Sequence, residues 1–252
     1  MGDDAADIII LNNTMKEEER ISLFAKGESL RTPKAIKADI EASFIVNHNN
    51  AECLLYFGSG SLTPHRDSAF LFNPVKKEVL RIDYSSFYNE LRKNFKDLNI
   101  EAAAIIDDDF LFGIRANTAN PNNFIAIASS TVLSPEFKRK IQIKLPLNLQ
   151  IGISGMDYDS KTDQLFITFS SEDTSNALDD GKVGDSYLAI VEDAKSSLSK
   201  DELIIKNLEN LTDIDALFTQ QKIEGICVID SKQLLLVADD DLGSTQLFNL
   251  NY

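Results

Sequence analysis

The sequence predicts an all-β protein of the β-propeller class. Four segments share one pattern, their apolar stretches are short and rich in β-branched and aromatic residues, and polar turn residues separate them. The repeats begin at Ile40, Ile100, Ile153 and Ile223. Each starts with Ile, then Glu or Ser, then Gly or Ala, and continues as an apolar stretch, a polar turn and a second apolar stretch. A β-sandwich could contain the same strands, but it does not account for the recurrence.

Further strands follow the two that define each repeat. A third strand is predicted in SAFLFNP, NFIAIAS, SYLAIVE and TQLFNLN, and a fourth in KEVLRIDY, KRKIQIKL and DELIIKNL. Four antiparallel strands in roughly 40 to 50 residues are typical of one propeller blade. One helix is predicted over residues 85–96, where Phe87, Leu91 and Phe95 recur on one helical face behind a serine cap.

The two ends of the chain bear on the number of blades. Residues 1–38 match only the second half of a repeat, and the last repeat ends at Tyr252 without an outer strand. We therefore expect a single propeller domain over residues 1–252, with five blades, the first of which is incomplete through loss of a short N-terminal segment. The alternative is a four-bladed ring in which the N-terminal strands complete the last repeat, as propellers commonly close.

The composition excludes several classes of partner. The 252 residues carry 25 basic and 40 acidic side chains, a net charge of −15. Nucleic acid is therefore not expected as a partner, because phosphate neutralisation needs clustered Lys and Arg. No apolar run reaches the roughly 18 residues of a membrane span, and the acidic N-terminus is unlike a secretion signal. These features predict a cytoplasmic monomer.

The rare residues argue against common catalytic sites. There are two histidines and two cysteines, with no CxxC, HExxH or GxSxG motif, which disfavours a zinc site, a Cys/His pair and a serine triad. The GSGS run at Gly58–Ser61 lacks the spacing of a phosphate-binding loop. Cys53 and Cys227 lie in apolar stretches and are expected to be buried free thiols.

Polar residues recur at one predicted face of the ring. The start of the first strand and the end of the second emerge on the same side of a blade, because the two strands are antiparallel. The first strands place Glu41, Glu101, Ser154 and Glu224 there. The candidate ligand-binding residues at this face are Glu41, Ser59, Ser61, Arg66, Glu101, Arg115, Asn117, Glu172, Asp173, Asn176, Asp180, Glu224, Asp239 and Asp241.

Converging carboxylates repel one another unless they are neutralised or hydrogen-bonded. One resolution is a bound calcium ion with Glu41, Glu101 and Glu224 as candidate ligands, since calcium takes oxygen ligands and needs no histidine. A second is a cationic or polyhydroxyl ligand. A third is that each Glu accepts bonds from a neighbouring blade and only locks the ring. The acidic loop from Ser170 to Tyr187 resembles a calcium loop in composition but lacks EF-hand spacing, so it also reads as a solvated loop.

Several motifs follow one another in a definite order along the chain: KAIKADIEASFIV, LLYFGSGSLTPHRDSAFLF, NIEAAAIIDDDFLFGIRANTANPNNFIAI, ISGM with SSEDTSNALDDGKVGDS, and KIEGICVIDSKQLLLVADDD. This ordered set resembles an uncharacterised bacterial propeller-like family, a domain of unknown function that is distantly similar to phytase-like esterase propellers. The resemblance implies a propeller over nearly the whole chain, with the polar positions given above as its functional residues. It implies no particular reaction.

Three functions remain open from the sequence. The acidic mouth of the ring could bind a small molecule, a cation or a protein. The protein could instead be a calcium-assisted hydrolase, such as a phosphoesterase or lactonase, in which a Glu or Asp activates water. It could also be a structural domain.

Overall fold

The computed structural model describes residues 7–23, 35–117, 119–146, 149–173, 182–230, 232–239 and 245–252. Within them the chain is predominantly β-structure. The strands are β1 (Asp7–Leu11), β2 (Glu17–Ser22), β3 (Ile40–His48), β4 (Ala51–Gly58), β5 (Ser68–Asn73), β6 (Glu78–Asp83), β7 (Ile100–Ile106), β8 (Asp109–Ile114), β9 (Phe124–Ser129), β10 (Phe137–Lys144), β11 (Gly152–Asp159), β12 (Gln164–Asp173), β13 (Lys182–Val191), β14 (Glu202–Ile204), β15 (Glu209–Asn210), β16 (Lys222–Asp230), β17 (Gln233–Asp239) and β18 (Thr245–Asn251). The helices are α1 (Ser85–Asn94), α2 (Ala194–Leu198), α3 (Leu211–Ile214) and a 3-10 turn at Ala216–Phe218.

The strands form the four blades of a β-propeller and one further sheet. Blade 1 has the strand order β3-β4-β5-β6, blade 2 the order β7-β8-β9-β10-β14, blade 3 the order β11-β12-β13-β15 and blade 4 the order β16-β17-β18. The innermost strands β3, β7, β11 and β16 follow one another around the centre. The prediction of a β-propeller is therefore confirmed. The described residues form four blades, as in the alternative prediction, rather than five.

The N-terminal strands β1 and β2 form their own two-stranded sheet. In the described part of the chain they do not join the sheet of blade 4, so the expectation that they complete the last repeat is wrong. They pack instead against blade 1, where Ile8 contacts the cluster of Tyr56, Phe70 and Phe72. The order of packing is thus the β1–β2 sheet, then blades 1, 2, 3 and 4.

Each pair of successive blades encloses its own hydrophobic cluster. Between blades 1 and 2, Phe44 and Phe57 meet Phe112, and Phe57 and Phe112 pack edge-on with ring centroids 4.9 Å apart. Separate clusters fill the junctions of blades 2 with 3 and 3 with 4. This division explains why most strands have apolar residues on both faces, since each inner blade is covered on two sides.

Two local predictions from the sequence need correction. The segment DELIIKNL forms β14, which pairs in parallel with β10 of blade 2 rather than completing blade 3; β15 takes that position. The predicted helix is confirmed as α1, but Ser85 is its first residue and provides no cap, because Tyr84 precedes it without a capping side-chain bond. Its apolar face, including Phe87 and Leu91, fills the cluster between blades 1 and 2.

Candidate functional site

The isoleucine that opens a repeat is fixed by the preceding blade at three junctions. The N–H of Ile100 donates to the carbonyl of Ser59 at 2.8 Å. The N–H of Ile153 donates to Asn123 Oδ1 at 2.8 Å, and that of Ile223 donates to Ser186 Oγ at 3.1 Å. These bonds hold each inner strand in register with its neighbour. They also fix the position along the ring axis at which the residue after each isoleucine reaches the centre of the ring.

That next residue is a glutamate in three blades, and all three glutamates line one central cavity. We call this 250 Å³ space the acidic cavity. Glu41 of blade 1, Glu101 of blade 2 and Glu224 of blade 4 all lie on its wall. The complete lining is Ile40, Glu41, Ala42, Ser43, Tyr56, Glu101, Ala102, Ala103, Gly155, Met156, Glu224, Gly225, Ile226, Cys227, Val237 and Thr245.

Small residues keep the centre open. Ala42, Ala102 and Gly225 follow the three glutamates, and Gly155 stands at the same place in blade 3. A Cβ added at Gly155 would lie 2.6 Å from Thr168 Oγ1, so a larger residue there would require the Thr168 side chain to shift. Ser154, which takes the place of glutamate in blade 3, is buried, and its hydroxyl bonds Thr168 Oγ1 at 3.3 Å.

Glu101 and Glu224 each lie beside a cation of their own blade. Glu101 lies 3.9 Å from Arg115 Nη1 and accepts a hydrogen bond of 2.6 Å from Asn99 Nδ2. Glu224 pairs with Lys222 at 2.8 Å. Among the described residues, no three His, Cys, Asp or Glu side chains are grouped so as to hold a metal ion. The carboxylates thus share the walls of the cavity without meeting at one point.

Tyr56 and Cys227 add two protonated groups to the wall. Burial raises the pKa of Tyr56 to about 12. Desolvation by the surrounding strands, together with the charge of Asp157, raises the pKa of the Cys227 thiol to about 11. Both groups therefore remain neutral at physiological pH, so Cys227 is a poor nucleophile there. Cys227 is exposed, which corrects the expectation that both cysteines are buried; Cys53 is buried as expected.

The GSGS run and Arg66 lie outside the cavity lining, in a buried ionic network. Asp39 is its centre: Oδ2 accepts bonds from Ser59 Oγ and from Arg66 Nη1, and Oδ1 lies 2.7 Å from Lys37 Nζ. Ser61 Oγ bonds Arg66 Nη1 at 2.6 Å. Asp39, Lys37 and Arg66 are all buried. This network holds together the loop that joins β4 and β5 of blade 1. The candidates Ser59, Ser61 and Arg66 therefore have a structural explanation.

A second buried carboxylate supports the same loop. Asp67 pairs with Arg92 of α1 and accepts a 2.9 Å bond from Thr63 Oγ1. Arg92 also donates to the carbonyl of Gly60 at 2.8 Å. Lys37, Asp39, Asp67 and Arg92 are charged residues that were not among the sequence candidates, because none of them stands at the repeated polar positions where a first strand starts or a second strand ends.

Arg115 connects blade 2 with blade 3 besides facing Glu101. Its Nη1 donates to the carbonyl of Ile153 at 3.2 Å and to Ser170 Oγ at 3.1 Å, and its Nη2 donates to the carbonyl of Ser170 at 3.3 Å. Asn117 is separate from this group: its Nδ2 donates to the carbonyl of Asp97 at 2.8 Å, and its Oδ1 accepts the N–H of Asn120 at 2.8 Å. Asn117 therefore shapes an outer turn.

The remaining candidates contribute less to the site as described. Glu172 and Asp173 end β12, and Asp239 ends β17; their backbones pair with β13 and β16 respectively. Asn176, Asp180 and Asp241 lie outside the described residues. Of the fourteen-residue candidate set, the cavity therefore gathers Glu41, Glu101 and Glu224.

The fold and this cavity define a small β-propeller with an acidic centre. Residues 1–251 match the family model described as "Family of unknown function (DUF6929)", and the chain belongs to that family. The predicted membership of an uncharacterised propeller family is thereby confirmed.

No protein of curated function matches the chain. Among solved structures, the chain is similar to one chain of "Crystal Structure of Mitotic Checkpoint Complex", with 10% identity and a TM-score of 0.38 over 97% of this chain and 55% of that one. This chain thus spans about half the length of that protein. In the described part of the structure, no helix is long and apolar enough to cross a membrane.

Proposed function

We propose that the protein is a binding module whose acidic cavity takes up a small organic cation. The observation that carries the proposal is the joint presence of Glu41, Glu101 and Glu224, from three different blades, on the wall of one 250 Å³ cavity. Carboxylates on the wall of a cavity provide favourable sites for ammonium or guanidinium groups, and the net charge of −15 attracts cations to the molecule.

The size and spacing of the site favour an amine over a single ion. The volume is at the lower end of ordinary ligand pockets, which limits the ligand to a small molecule or one side chain. A diamine or an alkyl-linked cation can reach separated carboxylates. Its alkyl part would pack on Met156, Ile226 and Val237, which are among the apolar residues of the wall.

The test is thermal unfolding with butane-1,4-diamine, spermidine, inositol or calcium chloride. A cation present at about 100 times its Kd stabilises the native state by about 2.7 kcal/mol, which corresponds to a rise in Tm of roughly 5 to 10 °C for a chain of this size. We expect this rise with the amines, and we expect Glu101→Gln and Glu224→Gln to reduce it strongly. Glu90→Gln is the matched control, because Glu90 is paired with Lys93 on the surface of α1, outside the cavity lining.

The other outcomes separate the remaining functions. A response to calcium alone, lost in the two cavity variants, would favour a metal site and the calcium-assisted hydrolase. Lower stability in both variants without any ligand response would favour glutamates that only lock the blades. Either result would contradict binding of an organic cation.

A further inference from the structure

The residue two positions before the cavity glutamate differs between blades 2 and 4. In blade 2 it is Asn99, whose neutral amide donates a hydrogen bond of 2.6 Å to Glu101 Oε1. In blade 4 it is Lys222, whose ammonium nitrogen lies 2.8 Å from Glu224 Oε1. In both blades the side chain at this position contacts the glutamate. The same position therefore supplies Glu101 with a neutral donor and Glu224 with a positive charge.

The pair of Lys222 and Glu224 is largely withdrawn from solvent. The two side chains are 12% and 20% exposed. Opposite charges attract one another more strongly where little water surrounds them, so Lys222 offsets the Glu224 carboxylate more fully than an exposed partner would. Hydrogen bonds between charged groups are also stronger than those between neutral groups. A cation of the chain itself therefore reduces the negative potential that Glu224 gives to the acidic cavity.

Arg115 has a different relationship with Glu101. Its Nη1 lies 3.9 Å from Glu101 Oε2, and its donors are engaged by main-chain carbonyls of blade 3. Arg115 is thus held by the neighbouring blade. Lys222 carries its charge on a flexible four-carbon stem, and an ammonium is a compact point charge that the ammonium of a ligand can match. The geometry therefore favours competition between chain and ligand at Glu224 rather than at Glu101.

We propose that Lys222 limits the affinity of the acidic cavity for organic cations, because its ammonium competes with that of the ligand for the Glu224 carboxylate. This inference rests on the proposed function, since it concerns the same cavity and the same class of ligand. Among the residues that the structure describes, Lys222 is outside the cavity lining, so it acts through Glu224 as a positioning residue. A ligand must weaken the Lys222–Glu224 pair before its own ammonium interacts with the full charge of the carboxylate.

The test is calorimetric titration of the full chain with butane-1,4-diamine. Lys222→Asn gives blade 4 the neutral donor that blade 2 has, and it should lower the Kd at least about tenfold, or about 1.4 kcal/mol. Lys222→Met keeps the apolar stem without the charge and should also lower the Kd, whereas Lys222→Arg retains a cation and should not. Lys93→Asn is the matched control, because it removes the same charge from an exposed pair with Glu90 on α1 and should change the Kd less than about twofold.

The outcomes separate this inference from the proposed function. A Kd that is unchanged or higher in Lys222→Asn and Lys222→Met would assign Lys222 a structural role, which overturns the inference and leaves the proposed function intact. An equal gain of affinity in Lys93→Asn, or a gain in Lys222→Arg, would show that competition at Glu224 does not set the affinity and would also overturn the inference. Diamine binding in neither the wild type nor the two neutral variants would overturn both the inference and the proposed function.

Discussion

Asp157 of blade 3 accepts a hydrogen bond from the main-chain N–H of Val228 in blade 4, with 2.7 Å between Oδ2 and the nitrogen. Its Oδ1 accepts the N–H of Tyr158 at 2.8 Å. Burial raises the pKa of this carboxyl above its ordinary value of 3.8, and the two hydrogen bonds oppose the rise. One partly desolvated carboxylate therefore connects the inner strands of two blades, close to the acidic cavity.

This carboxyl should give a measurable pH dependence of stability. Because the folded pKa is raised, the native state holds the proton more tightly than the unfolded state. The stabilisation is complete below about pH 3.8 and is lost as the pH rises through the folded pKa. Urea unfolding of the wild type and Asp157→Asn at several pH values should show the wild type losing stability relative to the variant over that window.

Asp83→Asn provides a control of opposite sign. Hydrogen bonds from the side chain and then the backbone of Ser85 lower the pKa of Asp83, so its contribution is present above 3.8 and lost as the pH falls through the folded pKa. The same slope for both variants would contradict the assignment of the pH dependence to Asp157.

Replacing Arg115 should destabilise the junction of blades 2 and 3. Arg115→Ala removes donors to the carbonyls of Ile153 and Ser170. It also removes the cation that lies beside the Glu101 carboxylate. We expect a loss of about 3 kcal/mol in the free energy of unfolding, measured with urea. Arg20→Ala, at an exposed ion pair with Glu17, should change it by less than about 1 kcal/mol. Equal effects of the two substitutions would refute the bridging role.

The blade 1 network should be more sensitive still. Asp39→Asn removes the charge that compensates both Lys37 and Arg66, which are buried beside it. Breaking a buried pair by removing one partner typically costs about 3 to 5 kcal/mol. The measurement is urea unfolding, and Asp109→Asn, at an exposed pair with Lys138, is the control. A loss no greater than that of Asp109→Asn would show that the buried cations have other compensation.

The sequence predicted the inner strands well because every blade repeats the same local pattern. Apolar stretches before and after a short polar turn specify an antiparallel pair, and the position after an initial isoleucine directed attention to Glu41, Glu101 and Glu224, which line the acidic cavity. These predictions depend on neighbours within one repeat. Local spacing is therefore enough to establish them.

The missed features depend on contacts between distant parts of the chain. β14 pairs with β10 although β11, β12 and β13 of blade 3 lie between them in the chain, and nothing in DELIIKNL identifies that partner. Arg115 was predicted to face a ligand, but its donors reach Ser170, which is 55 residues away in sequence. The buried charge of Asp39 precedes the first repeat, where no pattern distinguishes it from a solvated residue. Burial of a charge can be recognised only once its partners are placed.

Two glycines near the centre should respond differently to the same substitution. A methyl group at Gly58 would lie 2.5 Å from the carbonyl oxygen of Arg66 and 2.7 Å from that of Ala38, and backbone atoms cannot move aside cheaply. Gly58→Ala should therefore lower the free energy of unfolding by about 1 to 3 kcal/mol or more.

A methyl group at Gly225 would lie 3.4 Å from Val237 Cβ, which is an ordinary contact, and alanine also restricts the unfolded chain. Gly225→Ala should leave stability unchanged or raise it by up to about 1 kcal/mol, while narrowing the acidic cavity and weakening amine binding. Urea unfolding and amine titration of both variants test this contrast. A large loss of stability in Gly225→Ala would contradict it, because it would show that the space beside Gly225 is too small for a methyl group.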